Sequence, residues 1–370
     1  MSVVELTREL VSIPSHEDET AAGDVIESWL REETTATVRR DEAGNVIARA
    51  GPTGSQRESV DTLALVGHHD VVDPAESQVD GGEYVVEARD GRLYGRGTAD
   101  MKGAIAAAML AFRDATAATD VEAATGELVF VSFVGEEVGG VGARHAIDRG
   151  FTPEYAIVGE GSTGYSSPDV TDVAVAHKGR RGSTITAVGE AAHASEVGAG
   201  ENAIYRATDA VDRIRELEVP SVTAAGETLA GSLVVTEIEG GTAMNVVPDR
   251  CELTIDERTV PGERVALERV AALEGLEWTV DQDLPPMRCG DDTFAERVLE
   301  AAASVQSGSP ELVTKPHATD AGWLSAAGTE CVIYGAAEPG EAHTEDESAS
   351  IDVLERCRET YRRVSNAWLE

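Results

Sequence analysis

The chain is 370 residues long and carries a formal net charge of −38, with 68 acidic side chains against 30 basic ones. That length is enough for two domains, and the strong negative charge disfavours binding to nucleic-acid phosphates or to anionic lipid. The acidic residues are spread along the chain, and only three of the basic residues are lysines. This composition is typical of an extreme halophile, in which molar salt screens the repulsion between like charges.

The amino terminus and the cysteines bear on where the protein works. No basic segment followed by an apolar one opens the chain, so we expect no signal peptide. The longest nearly apolar run, residues 104–112, is too short to span a membrane. The four cysteines have neither zinc-knuckle nor redox spacing. We therefore expect a cytoplasmic protein with reduced thiols and with no nucleic-acid or membrane partner.

In the first and last parts of the chain, the sequence predicts helices that alternate with short apolar strands. Continuous apolar runs separated by helices favour a parallel-type sheet with helices on both faces, hence an α/β fold. In chain order, the predicted elements are helices over 3–13, 17–33 and 101–113, and strands within 37–50 and over 63–66, 128–134, 156–158 and 331–334.

The pattern changes between about residues 175 and 283. Strands that alternate apolar and polar residues are predicted over 184–188, 233–238 and 251–255, with helices over 202–217 and 263–273. Alternation is typical of a sheet with one open face, which predicts an inserted smaller α+β domain. We therefore expect a catalytic domain formed by 1–174 and 284–370 and a lid or dimerisation domain over 175–283.

Metal-type side chains follow several of the predicted strands. His68, Glu136, Glu137, Glu160 and His343 all lie just past the carboxyl end of a predicted strand, where ligands bind in open α/β sheets. Histidine and carboxylate ligands without thiolate suit Zn²⁺, Co²⁺ or Mn²⁺. Read singly, the paired glutamates also fit a solvated surface, and Asp100, before a predicted helix, also fits an N-cap. The ordered set favours a metal site.

The same ordered set resembles a known family. His68-His69-Asp70, the stretch 95–103 (Gly-Arg-Gly-Thr-Ala-Asp-Met-Lys-Gly), Glu136-Glu137, Glu160 and His343 are similar to the co-catalytic zinc aminoacylase and carboxypeptidase family, which includes acetylornithine deacetylase and succinyl-diaminopimelate desuccinylase. The resemblance covers essentially the whole chain, and 95–103 is its most specific part. It implies two divalent metal ions, Zn²⁺ or Co²⁺.

The resemblance also implies a role for each residue of the set. One metal would be held by His68 and Glu160 and the other by Glu137 and His343, with Asp100 bridging them. Asp70 would orient the His68 imidazole. Glu136 would act as the general base on the metal-activated water.

Further residues resemble the lid of that family and imply how substrate is bound. His193, in the stretch 189–195, would polarise the scissile carbonyl or stabilise its oxyanion, often across a homodimer interface. Asn245 would contact substrate, and Arg258 would grip its α-carboxylate. From the residues alone, His193 equally fits a surface position, and Arg258 also fits a surface salt bridge.

The predicted function is metal-dependent hydrolysis of the amide bond of N-acyl amino acids. A metallo-carboxypeptidase or dipeptidase is the alternative, and a non-catalytic metal-stabilised binding protein is a remote one. Two departures bear on substrate: Gly161 follows Glu160 where close relatives usually have proline, and 80–84 lacks their tryptophan and Pro-Phe pair. They weaken the substrate assignment and leave the metal site intact.

Overall fold

The computed structural model describes residues 1–54 and 59–370. Within these residues the α-helices are α1 (Val3–Val11), α2 (Thr20–Glu33), α3 (Gly103–Ala118), α4 (Val141–Asp148), α5 (Ala203–Arg215), α6 (Glu268–Ala271), α7 (Asp292–Ala303), α8 (Asp320–Ala326) and α9 (Ile351–Leu369). The strands of the first half are β1 (Thr37–Arg40), β2 (Val46–Ala50), β3 (Thr62–His68), β4 (Val79–Asp80), β5 (Glu83–Tyr84), β6 (Glu87–Arg89), β7 (Arg92–Tyr94), β8 (Glu127–Phe133), β9 (Tyr155–Val158), β10 (Val173–His177) and β11 (Gly179–Val188). The remaining strands are β12 (Ala192–His193), β13 (Ser221–Ala224), β14 (Glu227–Ala230), β15 (Ser232–Gly240), β16 (Val246–Val247), β17 (Arg250–Thr259), β18 (Leu276–Leu284), β19 (Met287–Arg288), β20 (Leu312–Lys315), β21 (Glu330–Ile333) and β22 (Ser348–Ser350).

The chain divides into two compact units. The first comprises Met1–Ala176, Arg288–Lys315 and Thr319–Glu370, and the second comprises His177–Met287 with Pro316–Ala318. In sequence, the second unit is therefore inserted between the two main parts of the first.

A mixed sheet forms the centre of the first unit, with strand order β1-β2-β8-β3-β9-β21-β10-β19 and with β20 paired to β10. The middle strands β8, β3, β9 and β21 are mutually parallel, whereas β1, β2 and β10 join the sheet antiparallel. Every residue of β8 is buried, because α3 and α9 pack against it together with β3, while α4 and α8 contact β8, β9 and β21. The predicted α/β class is confirmed, with a sheet that is parallel at its centre.

The helix predicted to start directly after Asp100 begins later. Residues Thr98–Lys102 form a tight turn with non-helical backbone angles at Asp100 and Met101, and regular helix starts at Gly103. Asp100 is therefore not a helix N-cap. Its backbone N–H faces a side-chain acceptor instead, which fixes the turn (below).

The second unit is built around a four-stranded antiparallel sheet in the order β15-β17-β11-β18. Along β17 alternate residues are buried, and Leu253 and Ile255 pack with Ile185 against the buried face of α5, which confirms the predicted smaller α+β fold. The helix predicted over 263–273 shortens to α6, because Val265 turns into the core and donates its N–H to the Glu257 carboxylate at 3.2 Å.

Two further expectations concern the state of the cysteines and the presence of membrane-spanning helices. The four cysteines are buried free thiols. No helix among residues 1–54 and 59–370 combines the length and the apolar character needed to cross a membrane.

Candidate metal centre

The parallel strands deliver the predicted ligands to one edge of the sheet. His68 ends β3 and pairs in register with Phe133, the last residue of β8, so Glu136 and Glu137 follow at the same level. Strand β9, on the other side of β3, ends at Val158, just before Glu160. Because carboxyl ends of parallel strands open toward the same edge, three separate segments converge there.

Two imidazoles share one carboxylate at this edge. His68 Nε2 lies 3.0 Å from Asp100 Oδ1 and 3.5 Å from Glu160 Oε1. His343 Nε2 lies 3.1 Å from Asp100 Oδ2 and 3.0 Å from Glu137 Oε1. Asp100 therefore presents a different oxygen to each histidine, which is the arrangement that a bridging carboxylate requires.

The same side chains form groups with the spacing of metal ligands. Among the described residues these groups are His68–Asp100–Glu160, Asp100–Glu137–His343 and His68–Glu136–Glu137, and within each the ligand atoms lie within 4.8 Å of one another. Nitrogen and oxygen donors without thiolate fit Zn²⁺ and its neighbours in the first transition row. Because Asp100 belongs to two of the groups, the donor set fits a pair of divalent ions.

Asp70 connects the two halves of the cluster. Its carbonyl oxygen lies 3.1 Å from His68 Nδ1, and its carboxylate Oδ1 lies 3.3 Å from the same nitrogen. Its other carboxylate oxygen accepts the backbone N–H of Glu137 at 3.0 Å. Asp70 thus holds His68 with Nε2 toward Asp100 and fixes the backbone of a second candidate ligand.

The electrostatics of the cluster favour positive charge at its centre. Burial lowers the pKa of His68, but hydrogen bonds with Asp100, Asp70 and Glu160 outweigh it and raise that pKa well above its usual value. Hydrogen bonds with Asp100 and Glu137 raise the pKa of His343 to about 10. Burial opposes ionisation of Asp100, yet the two histidines hold its pKa below the usual range. A divalent cation meets the same demand for positive charge.

Glu136 differs from its neighbour Glu137, whose carboxylate is paired with His343. Burial raises the pKa of Glu136 well above its usual value; the charge of His68 opposes this shift, and the charges of Asp320 and Glu160 add to it. A carboxyl group whose pKa moves toward neutrality is better matched to accepting and returning a proton than an ordinary surface glutamate.

Glu347 is a buried member of the site that sequence reasoning missed. Its Oε1 accepts the backbone N–H groups of Gly97 at 2.9 Å, Ala99 at 3.0 Å and Asp100 at 3.2 Å, and its Oε2 pairs with Arg96. In so acidic a chain, nothing in the sequence separates a buried glutamate from the many exposed ones. The available signal was Arg96, a cation in a glycine-rich stretch that needed an anionic partner.

Three more buried charged residues around the cluster were also missed. Lys315 Nζ lies 3.8 Å from Glu160 Oε2, and burial lowers the pKa of this lysine. Lys102 is fully buried and donates to the Ile13 carbonyl oxygen at 2.7 Å, and burial lowers its pKa to about 7. Asp320 is buried with neither carboxylate oxygen hydrogen-bonded within the described part of the chain, and burial raises its pKa to about 8. For Lys315 and Lys102, the available signal in the sequence was the scarcity of lysine in this chain.

His69, the neighbour of His68, faces the core. Its Nδ1 lies 2.7 Å from Ser132 Oγ, and burial lowers its pKa to about 3. It is therefore a neutral packing residue, consistent with its omission from the predicted ligands.

In the second unit, two of the three predicted substrate contacts lie together. His193 is exposed on β12, which pairs with β16, and its Nδ1 lies 2.7 Å from Ser195 Oγ. The carbonyl oxygen of Asn245 accepts the Ala194 N–H at 2.9 Å, which places Asn245 beside His193. Arg258 lies apart on β17, where its Nε donates to Asp256 at 2.8 Å.

Comparison with curated proteins identifies relatives along most of the chain. Residues 64–367 match peptidase family M20/M25/M40. The chain is 30% identical over 347 residues to acetylornithine deacetylase of Myxococcus xanthus, covering 88% of this chain and 85% of that protein. It is 28% identical over 375 residues to a putative succinyl-diaminopimelate desuccinylase of Mycobacterium tuberculosis, covering 95% and 97%.

Solved structures share the fold at low sequence identity. The aminopeptidase PepT from Bacillus cereus superposes with a TM-score of 0.78 at 21% identity, over 100% of this chain and 98% of that one. A dinuclear metal-binding peptidase of the M20 family from Bacillus subtilis superposes with a TM-score of 0.72 at 16% identity, over 99% and 97%. By its sequence match and its relatives, this chain is a hydrolytic enzyme that belongs to peptidase family M20/M25/M40.

Proposed function

We propose that the chain is a cytoplasmic di-metal hydrolase that cleaves the amide bond of N-acyl amino acids, of the acetylornithine deacetylase or succinyl-diaminopimelate desuccinylase type. The observation that carries the proposal is the pair of ligand groups joined by Asp100, which offers Oδ1 to His68 and Oδ2 to His343. The named relatives support the substrate class, and the dinuclear peptidase that shares the fold supports two ions.

Each member of the cluster has a proposed task. His68 and Glu160 would hold one Zn²⁺ or Co²⁺ ion and Glu137 and His343 the other, and Asp100 would contribute one oxygen to each. When bound, such ions acidify water and polarise a carbonyl. Glu136 takes the proton from the attacking water and returns it to the leaving amine. Asp70 keeps His68 in the orientation that ligation requires.

The second unit supplies the proposed substrate contacts. His193 donates to the oxyanion that forms at the scissile carbonyl, with Asn245 beside it. Arg258 receives the α-carboxylate; its Nε and Nη2 face Asp256, and its Nη1 has no hydrogen-bond partner among the described residues. A guanidinium fork suits a planar carboxylate.

A homodimer formed through the second unit is part of the proposal. Strand β15 is an edge strand of its sheet and exposes Val234 and Ile238. An exposed edge with apolar residues can add a strand from another chain. Sedimentation analysis of the purified protein at high salt tests this point, and a monomer at all concentrations would remove it.

Substrate profiling tests the proposed activity. The purified protein, in molar KCl with Zn²⁺ or Co²⁺ added, is assayed for amine release from N-acetylornithine, N-succinyl-diaminopimelate and a set of dipeptides. We expect the N-acyl amino acids to be cleaved fastest and a chelator to abolish turnover. Cleavage of dipeptides alone favours the peptidase alternative, and metal binding without any turnover favours the binding protein.

High salt is a condition of this assay because of the charge of −38. We propose that the protein is halophilic, since screening by salt reduces the repulsion among its acidic residues. The melting temperature is expected to rise with KCl concentration. A melting temperature indifferent to KCl would contradict a halophilic origin.

A further inference from the structure

Glu347 is one of the most completely buried charged residues of the first unit, with 1% of its surface exposed. It directly precedes β22, which pairs antiparallel with β7, and its carbonyl oxygen accepts the Gly95 N–H at 3.0 Å. These backbone contacts fix the position of Glu347 beside the glycine-rich stretch 95–103. Its side chain therefore enters the turn that carries Asp100 rather than solvent.

The two oxygens of Glu347 do different things. Oε1 accepts three backbone N–H groups, from Gly97, Ala99 and Asp100, at 2.9–3.2 Å. Oε2 pairs with the Arg96 guanidinium. An ordinary buried ion pair would need only the second contact. The three bonds to Oε1 are an additional feature, and all of them come from backbone N–H groups between Gly97 and Asp100, where the turn begins.

This turn has a particular need for a buried acceptor. Gly97 has a left-handed backbone with φ of +88°, and the backbone is not helical at Asp100 and Met101. The N–H groups of Gly97, Ala99 and Asp100 therefore do not belong to a regular helix, and buried N–H groups without acceptors are costly. Oε1 satisfies all three at once, so the path of the turn depends on where this oxygen lies.

We propose that Glu347 is a positioning residue for Asp100: it holds the turn so that Asp100 presents Oδ1 to His68 and Oδ2 to His343. The inference rests on the proposed function, in which Asp100 bridges two ions. The position of Glu347 also links two proposed ligands, Asp100 and His343, because His343 lies four residues before Glu347 in the same segment. One segment therefore supplies a terminal ligand and sets the geometry of the bridging one.

Substitution with a matched control tests the proposal. Glu347→Gln keeps the size of the side chain, removes its charge and weakens its bonds to the turn. Glu341→Gln is the control: Glu341 lies in the same segment, pairs with Arg92 and accepts the Glu338 N–H at 2.9 Å, but is not bonded to the Asp100 turn. Calorimetric titration of each metal-free protein with Zn²⁺ and with Co²⁺ gives stoichiometry and affinity, and the visible spectrum of bound Co²⁺ reports ligand geometry.

For Glu347→Gln we expect affinity for at least one ion to fall about 10- to 100-fold, as for other changes behind metal ligands, with an altered Co²⁺ spectrum. Glu341→Gln is expected to match the wild type in both measurements. Two ions bound by Glu347→Gln with wild-type affinity and spectrum would overturn the proposal. An equal loss in both variants would overturn it too, because the effect would then belong to the segment and not to the contact with the turn.

A second variant covers the case in which Glu347→Gln does not fold. Glu347→Asp keeps the charge that Arg96 needs and withdraws the acceptor from the turn by about one carbon–carbon bond. Circular dichroism establishes its fold, and the same loss of metal affinity is expected. A folded Glu347→Asp protein with wild-type affinity would also overturn the proposal. Because metal titration needs no substrate, it gives this answer whether or not the N-acyl amino acids are cleaved.

Discussion

The proposed metal cluster of the first unit and the proposed substrate contacts of the second differ in how they are held. His68, Asp70 and Asp100 lie at strand ends or in tight turns, and each contacts groups from other segments of the first unit. His193 is exposed, and its side-chain partner Ser195 is two residues away, as is the Asp256 that binds Arg258. A centre held by many long-range contacts tolerates little change, whereas locally held surface residues can vary with the substrate.

Loss of the proposed base is the strongest test of this contrast. Glu136→Gln is expected to lower kcat by about 10²- to 10⁴-fold, because the amide cannot accept the proton from water. Metal content, measured by elemental analysis, is expected to stay at the wild-type value since Glu136 is not among the proposed ligands. Retained turnover with normal metal loading would remove Glu136 from its role.

The corresponding test in the second unit is His193→Ala. Removing one oxyanion donor is expected to lower kcat by about 10²- to 10³-fold, while metal affinity in calorimetry stays unchanged. His145→Ala serves as the control, since His145, on α4, pairs with Glu42 and has no proposed task. A loss of metal affinity in His193→Ala would break the division between a metal-binding unit and a substrate-binding one.

A smaller effect is expected when the substituted residue orients a proposed metal ligand without being one. Asp70→Asn keeps the shape of the side chain but removes the charge beside His68 Nδ1. Metal affinity or activity is expected to fall about 10- to 100-fold, measured by titration with Zn²⁺. The exposed Asp73 is the matched control, and Asp73→Asn is expected to behave as wild type. Equal affinities for Asp70→Asn and wild type would mean that His68 is oriented by the backbone carbonyl alone.

The smallest expected effect concerns stability and pH. Burial lowers the pKa of Lys102 from 10.5 to about 7, so between these values the unfolded chain binds a proton that the folded protein does not. The contribution of Lys102 to the free energy of unfolding therefore rises as the pH increases across this window. Below about pH 7, the full cost of burying the charged ammonium group lowers the stability of the folded protein. In Lys102→Met the free energy of unfolding, measured by chemical denaturation at a series of pH values, is expected to lose this increase with pH. An unchanged slope would show that Lys102 keeps its proton when folded.

The sequence predicted the sheet and the convergence of ligands because both follow from local patterns. Apolar runs that end in His68, Glu136 or Glu160 place those side chains at one edge whatever the loops between them do. It also separated the inserted unit by the change from continuous to alternating apolar residues, as along β17.

What the sequence did not predict depends on contacts between distant segments. Glu347 meets the turn at Gly97 only after β22 pairs with β7, and neither short strand has a strong pattern of its own. The helix start at Gly103 instead of Met101 has the same origin, since the Asp100 N–H is bonded to Glu347 and not left to a helical cap. The shortened α6 follows from the burial of Val265.

The burial of two lysines has a practical consequence for labelling. The chain contains three lysines, and Lys102 and Lys315 are enclosed around the metal cluster, with 0% and 4% of their surfaces exposed. Among the lysines, amine-reactive dyes and cross-linkers are therefore directed to the partly exposed Lys178. A fluorophore attached at Lys178 would leave both enclosed amines unmodified, so Lys178 is the lysine to choose for conjugation.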